Sequence, residues 1–151
     1  MSMIDRAMMQ ASAGRRLALI AESYARLAGE PLIVEGQELW DAPFVVVAHD
    51  TETPPLFFYG NKAALDLFKL PARKFIGMES SKSAEPALRE ERAAMLARLD
   101  SENIIRDYRG IRIASDGTRF MIANATVWNL IAEDGRRHGQ AATFAEWSAV
   151  H

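Results

Sequence analysis

Residues 115–135 read SDGTRFMIANATVWNLIAEDG. An Asp-Gly pair stands near each end, Asp116-Gly117 and Asp134-Gly135, 18 residues apart. Glycine takes positive φ without a Cβ clash and Asp tolerates it, so Asp-Gly between apolar runs marks a tight hairpin turn. Two such turns predict three long antiparallel strands, roughly 104–114, 118–131 and 137–147. Strict alternation along the middle strand puts Phe120, Ile122, Asn124, Thr126, Trp128 and Leu130 on one face. Met121, Ala123, Ala125, Val127, Asn129 and Ile131 then point the other way. Both faces are largely apolar, so both must be covered. Central helices can take one face. The amphipathic N-terminal segment, from this chain or a partner, is available for the other.

Upstream, Leu17, Ile20, Ala21, Tyr24, Leu27 and Ala28 share one helical face, with Arg15, Arg16, Glu22 and Arg26 on the other side. Gly29 and Pro31 give a stop signal, and residues before about Asp5 are expected to fray. FVVVAH (44–49) is a β-branched run after Pro43 and predicts a strand. The polar connection DTETPP leads to a second strand, LFFYG (56–60), in a hairpin. Gly60 ends it. Asn61 can cap a short helix running to Phe68, before Pro71, with its side-chain oxygen. Residues 73–83 are irregular or short helical turns. PALREERAAMLARLD (86–100) predicts a helix, with Pro86 in its first turn, Glu85, Glu90 and Glu91 in its N-terminal half, and an apolar stripe of Leu88, Met95, Leu96 and Leu99. The order is helix, two strands, small helices, a longer helix, three strands. The economical solution is α+β: a five-stranded antiparallel sheet with helices gathered on one face.

At 151 residues the chain suits one domain, and 49% hydrophobic with 25% charged residues suits a buried core. A net charge of -2 offers no basic excess for nucleic acid or an anionic membrane. With no cysteine, disulfides, thiolate zinc sites, cysteine nucleophiles and thiol-linked chromophores are excluded. No apolar run approaches the ~18 residues of a membrane span, and charges interrupt the start where a secretory segment is apolar. The expectation is a cytoplasmic protein.

Chemical motifs are sparse. Gly60-Asn61 lacks the further glycines or Gly-Lys-Ser/Thr of a phosphate cradle. His49, His138 and His151 form no metal-spaced pair, and no GxSxG is present. Asp50 and Glu52 sit in a loop, and Glu90 and Glu91 on an exposed helix side, without the desolvation that tunes a catalytic carboxylate. Asn124 and Thr126 are more informative. As inward polar groups they either satisfy backbone in a packed core or orient a small ligand in a partly apolar pocket. Phe57, Tyr59 and Trp128 could wall such a pocket. These five residues are the candidate cavity lining. Trp128, mid-strand, is also expected to be buried and structural. No catalytic or metal-binding residue is assigned.

Several phrases together resemble the MEKHLA domains, which are PAS-like. They are SYARLAG (23–29), LWDAPFVVVAH (39–49), FYGNKAALDLF (58–68), EPALREERAAMLAR (85–98), GIRIASDGTRF (110–120), ATVWNLIAEDG (125–135) and HGQAATF (138–144). The resemblance implies a sheet in spatial order 2-1-5-4-3 with helices across one face, which leaves the other face to the N-terminal amphipathic helix read above. It divides the chain into an N-terminal helix and linker, 1–38, and a PAS-like core, 39–151. Related domains end plant class III homeodomain–leucine-zipper factors, where they are linked to dimerisation. The function implied is a non-catalytic, stand-alone sensory or interaction module. It would bind a small apolar or amphipathic ligand or a protein partner, as a homodimer. Two alternatives stay open: a small α+β enzyme using the same cavity, and a pure dimerisation module with no ligand. No cofactor is named. Flavin photochemistry and a coumaroyl chromophore need a cysteine, and haem usually needs a histidine on the helix at 86–99, which has none.

Overall fold

The computed structural model describes residues 3–84 and 89–150. Its elements are α1 (Met3–Ala13), α2 (Arg16–Ala28), β1 (Val45–His49), β2 (Phe57–Gly60), α3 (Lys62–Phe68), α4 (Ala72–Phe75), α5 (Arg89–Glu102), β3 (Ile104–Ile113), β4 (Arg119–Ile131), β5 (Arg137–Phe144) and β6 (Glu146–Ala149), with short 3-10 turns at Leu39–Asp41 and Ser80–Ser83.

Both Asp-Gly turns form. Gly117 and Gly135 sit at φ 89° and 83°. Asp116 Oδ1 accepts from the Thr118 amide at 2.9 Å, and Asp134 Oδ1 from the Arg136 amide at 2.9 Å. Each Asp side chain thereby closes its own turn. The sheet is antiparallel in the order β2-β1-β5-β4-β3. It carries a sixth strand where five were expected. The predicted strand at 137–147 breaks at Ala145. β5 pairs with the second half of β4 (Trp128 opposite Ala141), and β6 with the first half (Phe120 opposite Ala149).

The break lies beside a kink in β4. Asn124 has φ 53°, the left-handed region. Its neighbours pair Tyr108 with Ala125 but Gly110 with Ile122, so β4 spends three residues where β3 spends two. This is a β-bulge, and one extra residue exchanges the faces of everything beyond it. Phe120 therefore meets Phe68 of the central helices, ring centroids 5.5 Å apart. Past the bulge it is Val127, packed with Met95 and Leu99, that faces those helices. Trp128 turns to the opposite layer, where its Nε1 donates to the Ile20 carbonyl at 3.2 Å. Strict alternation, which put Phe120, Ile122 and Trp128 together, is corrected by one backbone dihedral.

The N-terminal layer is two helices, not one. Gly14, at φ 53°, separates α1 from α2. Met3 and Ile4, where fraying was expected, belong to α1, which buries Met9 and Ala13. α1 is tied down by Asp5, whose Oδ1 accepts from the Ala72 amide at 2.9 Å, and by Ser12, whose Oγ donates to the Phe58 carbonyl at 2.6 Å. α2 crosses β4. Ser23, 1% exposed, donates to the Ile131 carbonyl at 3.2 Å and accepts from the Ile131 amide at 3.0 Å. The lid over the outer face thus comes from this chain. α5 buries Met95 and Leu99 and exposes Glu90 and Glu91. The expected places of Glu85, Pro86 and Leu88 lie outside the described residues. No helix among the described residues is long and apolar enough to cross a membrane.

Candidate functional site

The corner at Gly60-Asn61 is built for packing. A Cβ on Gly60 would stand 2.8 Å from Phe75 Cε1. Asn61 is fully buried. Its Oδ1 accepts from the amides of Ala64 (3.1 Å) and Val46 (3.0 Å). Its Nδ2 donates to the carbonyls of Leu39 (3.1 Å) and Phe44 (2.9 Å). The cap expected of its oxygen is present, and the amide also staples the 3-10 turn to β1. Both donors and both lone pairs are used, so nothing is left for a ligand.

Between the inner sheet face and the central helices lies a cavity of about 50 Å³. Val47, Phe57, Phe68, Met95, Ile122 and Val127 form apolar walls. His49, Ser83, Tyr108, Arg112 and Gln140 supply its polar groups, and among the described residues no carboxylate lines it. Most of these groups are already engaged. Ser83 Oγ donates to the Ser80 carbonyl at 2.7 Å. His49 Nδ1 lies 2.9 Å from the Asp50 carbonyl. Gln140 Nε2 donates to Asn129 Oδ1 at 3.1 Å, and Asn129 Nδ2 donates to the Leu99 carbonyl at 2.9 Å and Asn103 Oδ1 at 3.0 Å. That chain of amides ties β5, β4 and α5 together. Arg112 donates to Tyr108 Oη at 3.1 Å and to the Ile111 carbonyl at 3.1 Å.

The five residues expected to share a pocket do not meet. Phe57 lines the cavity. Tyr59 is buried on the opposite sheet face, beside a groove formed with Leu17, Ile33 and Trp40. Trp128 is fully buried against α2. Asn124 and Thr126 border a shallow open groove with Tyr24, Leu32 and Phe44. The Asn124 amide donates to exposed Glu146 at 2.9 Å. The cause is two of the sheet's register irregularities, the one at Asn124 and the one in the β1–β2 hairpin between Ala48 and His49. The residues that reasoning from sequence missed are Tyr108, Arg112 and Gln140. Tyr108 and Arg112 carried a local signal, two polar residues flanking Gly110 at alternate strand positions. Gln140 carried none, since only the sheet order brings it beneath α5.

Tyr24, Tyr59 and Asp116 depart from their ordinary acidity, and none of the three lines the cavity. Burial raises the Tyr59 phenol far above its ordinary value, against a lowering by nearby Arg6. Burial also raises the Tyr24 phenol, opposed by Arg106 and assisted by Glu30. Both stay protonated near neutral pH. Hydrogen bonds from Lys69 and Thr118 hold Asp116 below the usual carboxylate range, but it is an exposed turn residue away from the cavity. Among the described residues no group of three His, Asp or Glu could hold a metal ion.

A five-strand antiparallel path in the order 2-1-5-4-3, helices on its inner face and a cavity between them define a PAS-like domain. The particular family follows from the sequence match: residues 15–149 fit the MEKHLA domain model, and the chain belongs to that family. Solved structures agree on the fold. A PAS domain from Colwellia psychrerythraea superposes with a TM-score of 0.60 at 13% identity, over 72% of this chain and 87% of the other. A fungal LOV domain photoreceptor gives 0.59 at 18% identity, over 93% and 94%. A variant of Vivid gives 0.61 at 13% identity, over 83% and 97%. No curated protein matches.

The flavin of LOV photoreceptors does not fit this chain. A pocket for a ligand of drug size spans about 300–1,000 Å³, against about 50 Å³ here. There is no cysteine to form an adduct. Haem is larger still, and α5 presents no histidine over Arg89–Glu102.

Proposed function

We propose that this chain is a cytoplasmic, non-catalytic sensory module whose inner cavity takes a small apolar or amphipathic ligand. The observation that carries this is the cavity itself. Apolar walls surround a few convergent polar groups, the usual composition of a ligand site. An enzyme on this frame would need a nucleophile or a tuned acid and base in reach of the cavity. Ser83 instead spends its hydroxyl on backbone, and among the described residues no carboxylate lines the walls. The test is a thermal-shift screen of small neutral amphipathic compounds on the full chain. A compound that binds only the folded state stabilises it by about 2.7 kcal/mol at a hundredfold excess over its Kd. Ala142→Leu, which fills the cavity from β5, should abolish the shifts while the fold survives. Undiminished shifts in that variant place the binding elsewhere and reject the reading.

Signalling through a homodimer or another protein partner completes the proposal. The support is apolar surface at the start of α1, where Met3 is 88% and Ile4 70% exposed on a helix docked to the core. Light scattering on the double variant Met3→Ser/Ile4→Ser should show half the parent mass. An unchanged dimer would clear this surface of the role.

A further inference from the structure

Among the described residues the cavity has one permanently charged group, Arg112. Positions 108, 110 and 112 alternate to one face of β3, and a Cβ on Gly110 would stand 2.6 Å from Tyr108 Oη and 3.1 Å from Arg112 Nη1. A glycine inside a strand costs order and packing, and commonly marks a close approach. Here the absent side chain lets the Tyr108 hydroxyl cross over to the guanidinium. Arg6, Lys69, Arg98, Arg106, Arg136 and Arg137 all form ion pairs. Arg112 forms none among the described residues. Two of its five N–H groups are used, on Tyr108 Oη and the Ile111 carbonyl. Three remain, in the planar fork that matches a carboxylate. Tyr108 Oη accepts from Arg112, so its own proton is free to donate outward. Arg112 and Tyr108 are half-buried at the cavity, where a charge-assisted bond gains over its value in water.

We propose that the cavity binds a short-chain monocarboxylate, its carboxylate on Arg112 and Tyr108 and its chain against Phe68, Ile122 and Val127. This rests on the reading of the cavity as the ligand site. The space inside is about 50 Å³, well below the roughly 300–1,000 Å³ of a pocket for a drug-sized ligand. That limits the enclosed part to a few carbons and favours a small acid over a fatty acid.

The experiment titrates ¹⁵N-labelled full-length protein with sodium butyrate and, separately, with butyramide, which has the same shape and no charge, at ionic strength matched with sodium chloride. Butyrate should give saturable shifts at the amides of Gly110, Arg112 and Val127, with butyramide about tenfold or more weaker, the range of a hydrogen bond to a charged group. Arg112→Gln, with an otherwise unchanged spectrum, should weaken butyrate by the same factor and leave butyramide as it was. Arg112→Lys, which keeps the charge and loses the fork, should fall between, and it serves if the Gln variant misfolds. Equal affinity for the two probes, or full butyrate binding by Arg112→Gln, overturns the carboxylate assignment. If Ala142→Leu then abolishes both, the cavity remains a ligand site for neutral compounds. If butyrate shifts nothing, the carboxylate assignment falls, and the neutral-compound screen alone judges the cavity.

Discussion

Replacing Trp128 by Ala should destabilise the protein by about 3–5 kcal/mol in a urea melt, the cost of emptying a large aromatic site. Trp128 is fully buried, at the seam between β4 and α2. Its ring meets Tyr24 edge-on at 5.0 Å, a geometry favoured by the ring quadrupoles. Its indole N–H is spent on the Ile20 carbonyl. The substitution therefore removes packing, a ring pair and a hydrogen bond together. Against a domain stability of about 5–15 kcal/mol, that is a large share. Trp128→Phe separates the terms. It keeps most of the ring and loses the donor, so about 1–2 kcal/mol is expected. The loss should be local to the outer layer: amides of α2 should exchange faster with solvent while those of α5 hold their protection. A cost below about 1 kcal/mol for the Ala variant would mean that α2 is not docked on β4. Accelerated exchange in α5 instead of α2 would put Trp128 on the wrong side of the sheet.

The contrast between Trp128 and Phe120 explains how far the sequence could be read. Hairpins at Asp116-Gly117 and Asp134-Gly135 were legible because the chemistry of a tight turn is local. The helices were legible from their apolar spacing, and the strand order came from the family resemblance. The side on which Trp128 lies was not legible. It depends on whether Asn124 is extended or left-handed, and Asn tolerates both. The paired irregularity at Ala145 lies on another strand, outside any local window. The same slip took Thr126 and Trp128 away from the cavity. Gly14 hid the break between α1 and α2 in a similar way, because a single glycine within a periodic pattern is also tolerated in a continuous helix. Arg112 was visible as a residue, but not as one without an ion pair among the described residues. Its meaning depends on where the carboxylates of the fold end up.

Asn61→Leu should be as damaging as the Trp128 change, about 3–6 kcal/mol, although it removes almost no volume. The Leu side chain fills the same space and offers no hydrogen bond. Four main-chain groups then lose their partner: the amides of Val46 and Ala64 and the carbonyls of Leu39 and Phe44. Each unsatisfied buried group costs about 1–3 kcal/mol, and some relaxation at this corner recovers part of the sum. An aspartate at the same position gives a sharper test. Its carboxylate could still accept from the two amides but would face two carbonyls that need donors, in a fully buried site. Burial and the carbonyls raise its pKa in the folded state, the two amide donors lower it, and in a fully buried site the raising terms are expected to win. Below the unfolded value of about 3.9, both states hold the proton, and the protonated acid can donate to one carbonyl. As the pH rises past that value the unfolded chain releases its proton while the folded one keeps it. Stability is therefore lost as pH rises towards the folded pKa. The deficit of Asn61→Asp relative to the parent should be smallest near pH 4 and grow towards pH 7, measured as paired urea melts. A deficit independent of pH would show that water reaches the corner. A cost under about 1 kcal/mol for Asn61→Leu would show that the four backbone groups have other partners, and that Asn61 is an ordinary cap for α3.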